Sequence, residues 1–66
     1  MEHLIEHLKS ANENRKRLKS EIKDIRPLVF LYKDEEATLK YDSLIEKYKE
    51  AKRELYSIVE QIIEQS

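Results

Sequence analysis

His3 and His7 stand one helical turn apart, with Glu2 and Glu6 beside them. Two imidazoles at that spacing could grip a metal ion from one helix face. Structural zinc sites use about four ligands, however, and chain ends hold ligands poorly. A solvated pair is therefore expected, with no metal site. Arg15, Lys16, Arg17, Lys19, Lys23 and Arg26 form a basic patch that could track a phosphate backbone. Glu13, Glu21 and Asp24 interrupt it and the chain is slightly acidic, at net −1. The patch reads first as a solvated helix face, and nucleic-acid binding is the alternative. Tyr32, Tyr41, Tyr48 and Tyr56 could stack on bases, yet three of them fall on an apolar seam and read as core. The sequence holds no Ser–His–Asp set, nucleotide loop or metal-ligand signature. Its carboxylates are numerous, but they lie on helix faces where nothing would shield a substrate or shift a pKa. The expectation is a non-enzymatic protein with no cofactor and no small-molecule substrate.

The elements that carry these residues are helices. Ala37, Tyr41, Leu44, Tyr48, Ala51, Leu55, Ile58 and Ile62 alternate steps of four and three, the period that keeps one helix face against another. Leu4, Leu8, Ala11, Arg15, Leu18, Ile22, Ile25, Val29 and Tyr32 follow the same rule, with Arg15 the one charged member. Ile45 and Val59 widen the second stripe, which then suits a bundle better than a two-helix contact. Between the two runs the phase slips. Extending the first register would bring Glu36, Leu39, Ser43 and Glu46 inward, a mostly polar set, so a turn separates two helices. Asp34, followed by Glu35 and Glu36, fits a helix start, and Thr38 is a rival cap. With no Gly in the chain, Lys33 and Asp34 must make the turn. Pro27 lacks a backbone donor, and its outward position predicts a kink rather than a stop.

The predicted fold is thus all-α: one domain over 1–66, an antiparallel two-helix hairpin with helices at about 2–33 and 35–64. The turn falls at about 33–36 and the kink near Pro27. Folding back there sets Leu18 against Ala51, Ala11 against Ile58, Ile25 against Leu44 and Tyr32 against Ala37, with Arg15 near Leu55 and Glu54, where an Arg–Glu pair would explain a charge in the seam. Residues 1–33 hold eight Lys or Arg against five acids, and residues 34–66 hold five against nine, so the two helices should attract modestly. A chain of 66 residues gains little from its own core, and without cysteine it has no disulfide to add. Association with another polypeptide is the staple that remains. No apolar run approaches the roughly 20 residues that span a bilayer. Glu2, Glu6 and the polar run after Leu8 do not suit a signal peptide, so a cytoplasmic location is expected.

In outline such a hairpin resembles two groups. The plasmid copy-control RNA-binding hairpins dimerise into four-helix bundles, and the small co-chaperones of type III secretion needles pair with a helical-repeat protein. Met1, Leu4, Glu6 and Leu8, with Tyr41 opening the second helix, are similar to the co-chaperones; no site residue is carried across. The run Leu28–Tyr32 is unbroken apolar, more than a hairpin can hide. The functional expectation is an adaptor, inhibitor, antirepressor or co-chaperone. It would bury an apolar stripe against a second copy, completing a four-helix bundle, or against a larger protein. The expected anchors are Leu28, Phe30, Leu31, Ile45, Tyr48, Val59 and Ile63.

Overall fold

A chain rich in Leu, Glu, Lys and Arg and free of Gly pays little entropy to become helical. The computed structural model, which describes residues 2–65, contains two α-helices: α1, Glu2–Phe30, and α2, Glu35–Gln65. They pack along their length as a hairpin measuring 49 × 14 × 13 Å. α1 runs through Pro27 and continues for three residues beyond it. No helix is long and apolar enough to cross a membrane among the described residues.

α1 ends three residues earlier than the periodicity predicts, and the backbone shows why. The Pro27 carbonyl accepts from the Leu31 N–H at 2.9 Å and also from the Tyr32 N–H at 3.3 Å, one residue further on. The Asp34 N–H then reaches back to the Leu28 carbonyl at 3.1 Å. The last turn thus widens and closes on itself instead of propagating. Lys33 takes the left-handed conformation, φ 53°, that reverses the chain and that Gly usually supplies. Tyr32 therefore leaves the seam: it is 74 % exposed, although Ala37, its expected partner, is buried. Asp34 caps α2, its Oδ1 accepting from the Ala37 N–H at 3.1 Å. Thr38 is not the cap; its hydroxyl donates to the Asp34 carbonyl inside the helix.

The buried residues repeat every seventh position. They are Leu4, Ala11, Leu18 and Ile25 on α1 and Ala37, Leu44, Ala51 and Ile58 on α2, with Ile22 added. Both members of the Leu18–Ala51, Ala11–Ile58 and Ile25–Leu44 layers are thus buried. We call this the inner row. The other half of each heptad seam forms an outer row, and apart from Ile22 its described members are only half-buried: Leu8, Arg15, Val29, Tyr41, Tyr48, Leu55 and Ile62. Residue size accounts for the difference. Three inner positions are Ala, which lets the helices close there, whereas the outer row carries Tyr, Leu, Ile, Val and Arg.

The turn yields two opposite predictions. Lys33→Gly removes the side-chain strain of the left-handed residue and should raise stability by about 0.5–1 kcal/mol. Asp34→Ala removes the cap and should lower it by about 1 kcal/mol. Thermal melts followed by circular dichroism measure both; a Lys33→Gly variant less stable than the parent would contradict the strain argument.

Candidate interaction surface

A helix pair has two flanks, one on each side of its line of contact. Here the outer row marks one of them, because in an antiparallel pair the outer rows of both helices lie on the same side. Counting outward by heptad position from the outer row, this flank gathers Ile5 and Phe30 from α1 and Ile45, Tyr56, Val59 and Ile63 from α2. Contacts agree with the counting. Val29, Tyr41, Ile45 and Tyr48 pack together against the core cluster. The Phe30 and Tyr41 rings meet edge-on with centroids 5.7 Å apart. Ile22, Lys23 and Arg26 share a groove with Ile45 and Tyr48 across the helix pair.

Five of the seven expected anchors therefore share one flank: Phe30, Ile45, Tyr48, Val59 and Ile63. Leu28 and Leu31 do not. Leu28 borders a groove on the opposite flank with Glu21, Asp24 and Lys40. Leu31 lies past the end of α1 in the turn, 77 % exposed. Phe30 keeps 62 % of its surface exposed despite the Tyr41 contact, so the aromatic pair only partly caps the hairpin end. Counting by three and four also places Ile5 and Tyr56 on this flank, although neither belongs to the seam itself.

The basic patch divides too. Lys16, Lys19, Lys23 and Arg26 lie on the apolar flank, joined by Lys9 and by the half-buried Arg15. Arg17 faces the other way, bordering a groove with Glu21, Lys47 and Glu50, and its guanidinium donates to Asn14 Oδ1 at 2.8 Å. Arg15 makes no pair with Glu54. Its Nε and Nη2 donate to Asn12 Oδ1 at 3.3 and 3.0 Å, one turn back on its own helix. Glu54 instead meets His7 Nε2 at 3.1 Å on the opposite flank, where both side chains are exposed. His7 thus points toward α2.

Charge follows the same division. The apolar flank carries eight Lys or Arg (the six on α1 plus Lys49 and Lys52) against three acids, Glu2, Glu35 and Asp42. That is net +5. The rest of the chain, turn included, carries five against eleven, net −6, and the two recover the overall −1. On the apolar flank the Lys52 ammonium sits 5.5 Å from the Tyr48 ring centre, a contact that holds cation and aromatic face together. Among the described residues no polar or charged side chain is buried. None of their His, Asp or Glu side chains forms a group of three able to hold a metal ion. The flank's chemistry is apolar contact and positive charge.

The Arg15 guanidinium bonds to Asn12 on its own helix, so replacing it breaks no hydrogen bond or ion pair to α2. Arg15→Leu should raise the stability of the isolated chain by about 0.5–1 kcal/mol through added apolar contact. His7→Ala should move it by less than about 0.5 kcal/mol, as for an exposed pair. Chemical denaturation of both variants measures this; a loss in Arg15→Leu would show that the guanidinium supports the fold. No family model matches the chain, and neither a curated protein nor a solved structure matches it.

Proposed function

We propose that the protein is a non-enzymatic protein–protein interaction module of the cytoplasm, of the adaptor, inhibitor, antirepressor or co-chaperone kind. It acts by burying the apolar flank of its hairpin against another polypeptide. The cover is either a second copy, completing a four-helix bundle, or a larger protein. The observation that carries this reading is the half-covered outer row. Seven side chains of the heptad seam remain part-exposed, and Phe30 and Val59 extend the same surface outward. Large apolar and aromatic side chains gathered on one face are what interfaces are built from. A kink at Pro27 belongs to this reading, tilting the last turn of α1 so that Phe30 sits over Tyr41.

The second reading, a nucleic-acid-binding hairpin, draws on the gathering of Lys16, Lys19, Lys23 and Arg26 on one flank. It leaves Ile45, Tyr56 and Val59 without a purpose, because phosphates cannot cover apolar surface. Heparin chromatography separates the readings. Retention should be weak, as a +5 flank on a chain of net −1 gives, and changing Lys16, Arg17, Lys19 and Lys23 to Glu should remove only that weak retention. Strong salt-dependent retention lost in that variant would favour nucleic acid.

Light scattering across a range of concentrations tests the main reading. Self-association predicts a species of about twice the 8.0 kDa chain mass that Phe30→Asp and Ile45→Asp return to one chain. A folded monomer whose stability ignores both changes removes the self-association form. A monomer whose flank also accepts no added helical polypeptide removes the reading as a whole.

A further inference from the structure

We infer that the apolar flank is a docking groove for an amphipathic helix of another protein, its acidic edge lying along α1 and its apolar face along α2. This deepens the interaction-module reading and rests on it. The two edges of the flank differ in kind. α1 contributes Lys9, Lys16, Lys19, Lys23 and Arg26, opposed only by Glu2 at the far end. α2 contributes Ile45, Tyr56 and Val59, and its two lysines there, Lys49 and Lys52, are offset by Glu35 and Asp42. Between the edges runs the half-buried outer row, with a groove of about 250 Å³ where Lys19, Lys23 and Arg26 face Ile45 and Tyr48. A ligand matching that cross-section is apolar on one side and negative on the adjacent side. It must also repeat every seven residues to meet the outer row, which a third helix does by seating its own knobs there. About 18 residues, at 1.5 Å each, would follow the basic edge from Lys9 to Arg26.

A second copy does not match. Joining two copies flank to flank sets +5 against +5. Stacking the flank of one copy on the opposite face of the next supplies negative charge, but lays an apolar stripe on a polar surface. Neither arrangement satisfies charge and apolar contact together. A phosphate backbone would satisfy α1 and leave α2 bare. A bilayer surface would accept the apolar edge but favours net positive charge on both sides of it, and here α1 carries the net positive charge while Lys49 and Lys52 on α2 are offset by Glu35 and Asp42.

The probe is a pair of synthetic amphipathic peptides of about three heptads, identical except for Glu or Lys along one edge, titrated by isothermal calorimetry. The Glu peptide should bind at least about ten-fold tighter than the Lys peptide, and added salt should narrow the gap. Changing Lys16, Lys19, Lys23 and Arg26 together to Glu should reverse the preference, while Ile45→Asp should weaken the Glu peptide without reversing it. All four cations are exposed, so the charge-reversed protein should keep its helical circular dichroism. Equal affinity for the two peptides, or a preference that survives charge reversal, overturns the inference. Binding of neither peptide, with uptake by phosphatidylglycerol vesicles or polyuridine instead, also overturns it. A dimer that Ile45→Asp dissolves overturns this inference yet sustains the broader reading, whereas a monomer that binds no peptide overturns both.

Discussion

Two helices in contact along one seam dry both of its rows equally only when the residues on the two sides of the contact are alike in size. That constraint shapes everything else in this hairpin. A heptad seam is two rows wide, and a pair of helices covers both rows only if their side chains interlock evenly on the two sides of the contact. Here small residues concentrate on one side. Ala11, Ala37 and Ala51 draw the backbones together along the inner row, and the bulk of Tyr41, Tyr48, Leu55 and Ile62 is left at the rim. Covering the rim with more of the same chain would require a third element. The described chain has two.

The turn obeys a related limit. Without Gly, the reversal must use a residue with a side chain in the left-handed region, and Lys33 supplies it. A long flexible side chain with no branch at Cβ is a tolerable choice there; a β-branched residue would clash with its own backbone. The widened last turn of α1 and the Asp34 cap then satisfy donors that would otherwise be orphaned at two helix ends only a few residues apart. The strain at Lys33 is thus held in place by hydrogen bonds on both sides of it.

Much of this architecture was legible in the residues. The alternation of three and four steps gives both helices, and the phase slip between Tyr32 and Ala37 gives the break. Asp34 with two following acids gives the second start. What escaped is whatever depends on the third dimension around each helix. Leu28, Phe30 and Leu31 read as one patch because they are consecutive. A helix turns about 100° per residue, so Leu28 and Phe30 emerge on opposite flanks, and Leu31 lies beyond the helix altogether. Arg15 appeared to need Glu54 because only register was counted. Asn12, three residues back, was near enough to satisfy it first. The unequal burial of the two seam rows could have been suspected from the placing of the alanines, since a seam with Ala on one row alone is lopsided.

The charge pattern shows why position matters more than totals. Divided by sequence halves, the chain looks like a basic helix laid on an acidic one, each neutralising the other. Divided by flank, the same residues form a cationic apolar face and an anionic polar back. The second division is the physical one, because charges act over about a Debye length, roughly 8–10 Å in ordinary salt, and the hairpin is 13–14 Å thick. A partner approaching the apolar flank therefore meets mostly the cations on that side, only weakly offset by the acids behind. The overall −1 is a poor guide to what this surface attracts. If attraction on the apolar face came from shape alone, its cations would be an encumbrance, since burying an ammonium without a partner is costly. Five of them line the outer edge of α1, and Lys52 lies over the Tyr48 ring, so the apolar surface can be covered while the edge cations keep water or gain a carboxylate.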